Sequence, residues 1–341
     1  MMVYACQQPM PEKPILQPVV ISEPLPSWRA TPARQRILDF VAAVTDTAGE
    51  AYVPPAQRIA TFDHDGTLLT EQPVYFQFRF VFARLRAMAP QHPRWKRDRL
   101  IQAAIDNDVE KVFSYGGQGI SKLITIAHSG VTTEEFARSA RNWMRTARHP
   151  TTGRPYSEMV YQPMLELIAY LQAHQFKIFM VTGGTTDLIR PWVEEVYGIP
   201  KEHVIGSRYK LSYRLTDSGK AELWVEPAME FFNNEENKAI AIHQFIGQRP
   251  ILAVGNSDGD IQMLEYATSG TGERLGVLIH HTDGQREWAY DRQSNIGRLD
   301  KGLDKARQNN WLVVDMQKDW QVVYPFEKQA EELAGQDTLV H

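Results

Sequence analysis

Two carboxylates two positions apart, Asp63 and Asp65, directly follow a short apolar run at residues 58–62. After a buried strand, one such carboxylate can act as a nucleophile or metal ligand and the other as a general acid or base. Gly66 allows a tight turn at this point, and Thr67 offers a hydroxyl that can fix the turn. An isolated Asp-x-Asp-Gly sequence is more often an ordinary acidic turn, so other features of the chain must decide.

A calcium loop of the EF-hand type is a second alternative, and the spacing excludes it. Such a loop needs Gly at its sixth position and Glu at its twelfth. Counted from Asp63, these positions hold Leu68 and Val74. A loop counted from Asn256 fails the same test.

A candidate anion site follows the apolar run at residues 177–181. Thr182 supplies a hydroxyl, and Gly183 and Gly184 expose backbone N–H groups at a predicted helix start, where the helix dipole favours negative charge. Lys238 opens a later predicted helix and can reach the same anion as a point charge.

A candidate cation site follows the apolar run at residues 250–254. Asn256, Asp258 and Asp260 offer the oxygen ligands that suit a hard cation such as Mg²⁺. A helix cap, a surface lysine or a polar turn explains any one of the four features by itself. Their order along the chain, each at the end of a strand or the start of a helix, favours one phosphate- and metal-binding site.

The elements that position these residues alternate between strands and helices. The pattern predicts strands at 58–62, 177–181, 250–254 and 275–279, and a hairpin at 209–215 and 221–225. It predicts helices at 32–47, 161–174 and 235–246, and a further helix that follows residues 182–187 and runs through 196. Such alternation implies right-handed crossovers and a mostly parallel sheet, whose chemistry lies beyond the carboxyl ends of its strands. His280 and His281, which end the fourth strand, are typical of local hydrogen bonding rather than of a metal site.

The four motifs resemble those of the haloacid dehalogenase-like (HAD) hydrolase superfamily, over about residues 56–325. Residues 63–67, Asp-His-Asp-Gly-Thr, are similar to the first family motif, DxDGT. Thr182 with its two glycines is similar to the second, in the form of the phosphoserine phosphatase branch. Lys238 matches the third motif, and residues 255–264 match the acidic fourth motif.

The resemblance implies an α/β fold, a Rossmann-like parallel sheet core with an inserted helical cap domain. Residues 32–72 and 161–341 would form the core, and residues 73–160, which look mainly helical, the cap. Residues 1–31 are proline-rich and predict an extended arm. The aromatic run between Tyr75 and Phe82 predicts core packing rather than a ligand box.

The resemblance also implies a Mg²⁺-dependent phosphomonoester hydrolase that acts on a small phosphorylated metabolite through an aspartyl-phosphate. Asp63 would be the nucleophile and a metal ligand, and Asp65 the general acid and then the base, with its backbone carbonyl facing the metal. Positioning and charge neutralisation dominate such chemistry. The phosphoryl oxygens would be held by Thr182, Gly183, Gly184 and Lys238.

The chain departs from the family at Asn256, where relatives carry an acid. An amide oxygen can still ligate Mg²⁺ but brings no charge, so Asp258 and Asp260 are expected to compensate, directly or through water. Glu71, eight residues after Asp63, is expected either to meet a substrate amine or to be structural. Phosphoserine phosphatases place a glutamate one residue later.

Three other functions share some of these features. A phosphotransferase or mutase would carry every motif and differ only in the acceptor. A dehalogenase is disfavoured because that branch lacks the second acid, Asp65. A catalytically silent ligand-binding protein is favoured only by Asn256.

Composition narrows the partners further. The net charge is -4 with dispersed Lys and Arg, so no nucleic-acid-binding face is indicated. No run approaches the roughly 18 apolar residues of a transmembrane segment. Cys6 is the single cysteine, which excludes an internal disulfide and a Cys-based zinc site.

Residues 3–6, Val-Tyr-Ala-Cys, resemble the cleavage box of a bacterial lipoprotein, followed by a proline-rich tether. This similarity predicts a periplasmic or exported protein, with a possible lipid anchor at Cys6 of the native precursor. The alternative is a cytoplasmic phosphatase with a flexible arm.

Overall fold

A seven-stranded sheet organises residues 23–328, the part of the chain that the computed structural model describes. Its strands are β1 (Ile59–Phe62), β2 (Lys177–Thr185), β3 (Val204–Leu215), β4 (Ala221–Phe231), β5 (Leu252–Gly255), β6 (Leu275–His280) and β7 (Leu312–Asp315). Their spatial order is β4-β3-β2-β1-β5-β6-β7. All neighbouring strands run parallel except β3 and β4, which form an antiparallel hairpin.

Helices connect these strands. They are α1 (Pro32–Thr45), α2 (Phe76–Met88), α3 (Arg99–Ile105), α4 (Val109–Ser114), α5 (Gly116–His128), α6 (Thr133–Thr146), α7 (Gln162–Ala173), α8 (Thr186–Ile189), α9 (Val193–Tyr197), α10 (Glu236–Ile246), α11 (Ile261–Thr268), α12 (Lys301–Asn309) and α13 (Met316–Asp319).

The sheet is buried on both faces, which explains why its central strands are continuous apolar runs. Every residue of β1 and β5 is buried. Phe62, Met180 and Val254 belong to a core cluster shared with α1 and α7. Val181 and Ala253 belong to a second cluster, shared with α10 and α11.

The register of the central strands brings the predicted motifs to one edge. Phe62 of β1 pairs with Met180 of β2 and with Val254 of β5. The residues that follow these strands therefore meet at the carboxyl edge of the sheet. The strand order alone explains why three motifs far apart in sequence form one site.

Helices α2 to α6 form an insertion between β1 and β2. Its buried cluster contains Leu85, Leu100 and Leu123, and it also includes Tyr209 and Val225 of the β3–β4 hairpin. The predicted fold class, a Rossmann-like core with an inserted helical cap, is confirmed. The exact domain limits stay predictions.

The structure differs from the sequence prediction at three points. The helix predicted through residue 196 is two short helices, because Pro191 lacks the N–H that a continuous helix needs. Strand β7 and helices α11, α12 and α13 were not predicted. The packed body also begins before Pro32, since Leu25 and Trp28 are already buried.

The predicted lipid-attachment residue, Cys6, and residues 1–22 of the predicted arm lie outside the described residues. None of the helices found within residues 23–328 is long and apolar enough to span a bilayer.

Candidate active site

Asp63 lies at the end of β1 in the middle of the site. Its backbone N–H donates to the carbonyl of Val254, which fixes the loop after β1 against β5. Its carboxylate is almost fully buried and accepts a hydrogen bond at Oδ1 from Lys238 Nζ, at 2.6 Å. Burial and the negative charge of Asp260 raise the pKa of Asp63 to about 7. Lys238 acts to lower this pKa but does not outweigh them.

Lys238 reaches the site from the first turn of α10 and is 2% exposed. Its ammonium lies 2.6 Å from Oδ1 of Asp63 and 2.6 Å from Oδ1 of Asp260. Burial acts to lower the pKa of Lys238, but the two carboxylates outweigh it and the pKa is raised. A buried lysine with two ionic partners is therefore a fixed cation in the site.

Asp65 and His64 point to opposite sides of the loop. Asp65 lines the cavity described below, whereas His64 is buried among Phe76, Trp192 and Tyr197. Oδ1 of Asp65 is buried and has no hydrogen-bond partner among the described residues. The nearest ring nitrogen, Nδ1 of His64, is 3.8 Å away. Asp65 thus keeps an acceptor available to a ligand.

The Thr182 region differs from the predicted helix start. Strand β2 continues through Thr185, and α8 begins only at Thr186. The Ser207 hydroxyl donates to the carbonyl of Gly183, which holds this segment extended against β3. A full helix dipole is therefore absent here. Gly183 and Gly184 do line the cavity, while the buried Thr182 hydroxyl accepts the N–H of Gly184 at 3.0 Å.

The three oxygen-bearing residues after β5 point in three directions. Oδ1 of Asp258 accepts the backbone N–H groups of Asp300 and Gly302, at 2.9 and 2.8 Å, so it caps α12. Asp260 bonds to Lys238 through Oδ1 and to the N–H groups of its own loop through Oδ2. The Oδ1 atom of Asp258 therefore faces another element, and the expected compensation by Asp258 for Asn256 stays a prediction.

Asn256 makes hydrogen bonds on both sides of its amide. Its Oδ1 accepts from the Thr67 hydroxyl at 3.0 Å, and its Nδ2 donates to Oε1 of Glu71 at 2.7 Å. The Tyr290 hydroxyl donates to the same Glu71 oxygen at 2.7 Å. A Cβ on Gly66 would lie 2.0 Å from Nδ2 of Asn256, so only glycine permits this close packing.

Glu71 is 1% exposed and is one of the residues that line the cavity. Burial raises the pKa of Glu71 well above its usual range, and the nearby negative charges of Asp65 and Asp63 act in the same direction. The hydrogen bond from Tyr290 acts to lower this pKa but is outweighed. The predicted contact with a substrate amine stays a prediction, and Oε1 is already occupied by two donors.

A segment that sequence reasoning missed supports the first loop. Nε2 of His281 bonds to the carbonyl of Gly66 at 2.8 Å, and its Nδ1 lies 3.1 Å from Oε2 of Glu287. Tyr290 stacks on the His281 ring at 4.4 Å. The tandem histidines were the only sequence signal for this support, and their predicted role in local hydrogen bonding is confirmed for His281. Nothing in the sequence indicated Tyr290.

The site opens into a cavity of about 260 Å³. Polar groups occupy its floor, and five apolar or aromatic residues form much of its wall. These five lie in the cap helices α2 and α5, in the segment just before α2 and in the segment just after β4. These are Tyr75, Phe78, Ile120, Ile124 and Phe232. Of the predicted core run, Phe76, Phe80 and Phe82 are buried as expected, whereas Tyr75 and Phe78 face the cavity.

The residues fit a divalent cation by their chemistry. Three carboxylates, of Asp63, Asp65 and Glu71, line the cavity with one ammonium, and Asp260 shares that ammonium. The excess negative charge and the unpartnered Asp65 oxygen favour a cation. No cluster of three or more His, Cys, Asp and Glu is arranged as a metal site within residues 23–328. A shell that includes the Asn256 amide and a backbone carbonyl would not form such a cluster.

Two solved structures show a similar fold at low identity, and a third matches with a lower TM-score. A protein of unknown function from Bordetella pertussis Tohama I is similar, with 16% identity, a TM-score of 0.50, and coverage of 76% of this chain and 99% of that one. A functionally unknown protein from Anaerococcus prevotii DSM 20548 has 17% identity, a TM-score of 0.52, and coverage of 82% and 91%. A phosphoserine phosphohydrolase-like protein from Francisella tularensis matches at 15% identity and a TM-score of 0.38, with coverage of 77% and 95%.

No match was found among proteins of curated function. A family model described as haloacid dehalogenase-like hydrolase matches residues 60–265, from within β1 to within α11. This range is more than half of the 341 residues and contains all four predicted motifs. The chain therefore belongs to the haloacid dehalogenase-like hydrolase family.

Proposed function

We propose that the protein is a Mg²⁺-dependent phosphomonoester hydrolase that forms an aspartyl-phosphate on Asp63. The observation that carries the proposal is the buried Asp63, bonded to Lys238 and set beside Asp65 at the floor of one cavity. A carboxylate fixed in this way is positioned as a nucleophile, and a second carboxylate within the same cavity can move protons.

Each step has a residue that can perform it. Asp63 attacks phosphorus with the oxygen that is not bonded to Lys238, so a carboxylate–phosphorus bond forms as the bond to the leaving oxygen breaks. Asp65 in its protonated form gives its proton to that oxygen. Asp65 then accepts a proton from the water that hydrolyses the aspartyl-phosphate, which restores both carboxyl groups.

The phosphoryl oxygens gain negative charge during transfer, and fixed donors can stabilise them. Lys238 supplies a buried ammonium, and Gly183 and Gly184 line the same cavity, with the backbone N–H of Gly183 as the proposed second donor. Thr182 lies under this segment and fixes the Gly184 N–H.

Asp63, Asp65 and the amide oxygen of Asn256 are the residues that would hold Mg²⁺. The ion would supply charge neutralisation for the phosphoryl group. The acceptor chemistry of these side chains supports this assignment.

The cavity also supports a substrate class. Its volume of about 260 Å³ is below the roughly 300 Å³ at which typical small-molecule sites begin, so the substrate is small. Lys238 is the only Lys or Arg among the described residues that line it, and the wall is apolar. We propose a phosphomonoester whose leaving group is uncharged and largely apolar.

The N-terminal sequence supports export with a lipid anchor at Cys6. Stable anchoring needs more than one acyl chain, and lipoproteins of this type carry several. Expression of the native gene followed by membrane fractionation tests this proposal. Protein recovered only in the cytoplasmic fraction would contradict it.

The substitution Asp63→Asn tests the central proposal. We expect phosphate release from an aryl phosphate to fall by about 10³-fold or more, the scale of losing a nucleophile. Asp39→Asn, on the exposed face of α1, is the matched control and should keep full activity. Near-normal turnover of the Asp63 variant would contradict the mechanism. Transfer of phosphate to an added alcohol in place of its release to water would indicate a phosphotransferase.

A further inference from the structure

The loop after β5 has no negative charge at position 256, where a magnesium shell favours one. Mg²⁺ dehydrates reluctantly and is usually bound through one or two carboxylates. Asn256 offers only an amide oxygen, and the two carboxylates that follow it are engaged elsewhere. Asp258 caps α12, and Asp260 holds Lys238 and the N–H groups of the loop.

A carboxylate from another element lies directly against this amide. Oε1 of Glu71 accepts a hydrogen bond from Nδ2 of Asn256 at 2.7 Å, although the two residues are 185 positions apart. The side chain of Glu71 is almost completely buried and lines the same cavity as Asp63 and Asp65.

The pair is held in a fixed arrangement. Thr67 donates to the amide oxygen of Asn256, and Tyr290 donates to the carboxylate of Glu71. The absence of a side chain at Gly66 and at Gly297 leaves room for Glu71. A Cβ at Gly66 would lie 2.4 Å from Oε1 of Glu71, and a Cβ at Gly297 would lie 1.7 Å from it. A surface carboxylate meeting an amide by chance would not need two glycines and a half-buried tyrosine.

We propose that Glu71 supplies the negative charge that Asn256 does not carry, so that the two residues together replace one acid of the magnesium shell. The amide orients the carboxyl group, and its ionised form brings the charge into the cavity from the segment after β1 when the ion is bound. This inference rests on the proposed magnesium site, but it concerns how this chain builds that site with a different set of residues.

The charge can be removed and returned in separate variants. Glu71→Gln keeps an oxygen that accepts from Asn256 and removes only the charge. Asn256→Asp in the Glu71→Gln background returns a carboxylate to the other member of the pair. Tyr290→Phe removes a hydrogen bond from Glu71 without changing any charge, and it serves as the positioning control.

Mg²⁺ affinity is measured by titration calorimetry without substrate, and each variant is checked by circular dichroism and thermal unfolding. We expect Glu71→Gln to weaken Mg²⁺ binding by about 10- to 100-fold, the range found for partners of metal ligands. The double variant should recover most of that loss, and Tyr290→Phe should weaken binding less than Glu71→Gln does, because it leaves the charge in place.

Two results would overturn the inference: unchanged Mg²⁺ affinity in Glu71→Gln, or a loss that Asn256→Asp does not recover. If the wild-type chain bound no Mg²⁺, the proposed cofactor and this inference would fail together. If it bound Mg²⁺ but released no phosphate, the proposed function would fail and the role of Glu71 would stand.

Discussion

Nζ of Lys238 lies 2.6 Å from Oδ1 of Asp63, at the floor of the cavity. The same ammonium lies equally close to Asp260, so one buried cation pairs with two buried carboxylates. Each of the three charges depends on the other two, because none is exposed enough to be solvated by water. The arrangement that would prepare Asp63 for the proposed chemistry is therefore also part of the stability of the fold.

Lys238→Met should lower the free energy of unfolding by about 3–5 kcal/mol, since it leaves two carboxylates buried without a cation. Lys238→Arg should cost less because it keeps the charge. Urea denaturation at pH 7 measures both. Adding Asp260→Asn to Lys238→Met should recover part of the stability, and a further loss in that double variant would show that charge is not the cause.

Asp65→Asn should affect substrates according to their leaving group. Alkyl phosphates need a proton on the departing oxygen, whereas nitrophenyl phosphate needs little help. We expect a loss of about 10²–10⁴-fold with the alkyl substrate and a much smaller one with nitrophenyl phosphate. Steady-state kinetics with a series of leaving groups measures the difference. Equal losses across the series would point to a structural role for Asp65.

The sheet was predictable because its strands are buried on both faces and so appear as apolar runs that end at chemically active residues. Asp63, Gly183 and Lys238 were placed together from strand order and motif order alone, and the structure brings them to one cavity. These residues lie close together because of the strand topology, and the periodicity of apolar residues along the chain can indicate that topology.

The direction of individual side chains was not predictable. Asp258 turns toward backbone groups 42 and 44 positions away, and Tyr290 reaches Glu71 across 219 positions. No local pattern marks such partners, because only the folded arrangement decides which donor satisfies a buried carboxylate. The charge that would compensate for Asn256 was expected in the nearby loop, whereas the structure places the carboxyl group of Glu71 against the Asn256 amide.

Asp258→Ala should reduce stability without weakening Mg²⁺ binding. Its carboxylate accepts the N–H groups of Asp300 and Gly302 at the start of α12, and the loss of a cap costs about 0.5–2 kcal/mol. Thermal unfolding and Mg²⁺ titration separate the two effects. A clear fall in Mg²⁺ affinity at unchanged stability would restore Asp258 to the metal site.

Phe232→Ala should raise KM for an aryl phosphate more than for a small alkyl phosphate. The ring lines the cavity wall and is 54% exposed, so its removal should leave the fold intact. Partial burial of such a ring on substrate is worth about 1 kcal/mol or more, or roughly five- to tenfold in KM. Phe245→Ala, also 54% exposed but outside the cavity, is the matched control. An equal change in both variants would argue against substrate contact.

His128 should make the fold sensitive to acid. It lies in α5 of the cap, fully buried, with Nδ1 at 2.8 Å from the Ile124 carbonyl and Nε2 at 3.0 Å from the Thr185 hydroxyl. Nδ1 must carry the proton that the carbonyl accepts, so neutral Nε2 accepts from Thr185. Burial lowers the pKa of His128 from 6.5 to about 3.

Between pH 6.5 and pH 3 the unfolded chain binds a proton at His128 that the folded chain does not, so stability falls as the pH falls through this window. At pH 5 the expected loss from this group is about 2 kcal/mol relative to pH 7. His128→Gln can keep a hydrogen bond but does not titrate, so its unfolding free energy should fall by about 2 kcal/mol less than that of the wild type over the same interval. Urea denaturation at both pH values measures the two differences, and other groups cancel because both proteins share them. Identical losses would show that His128 is protonated in the folded cap without cost.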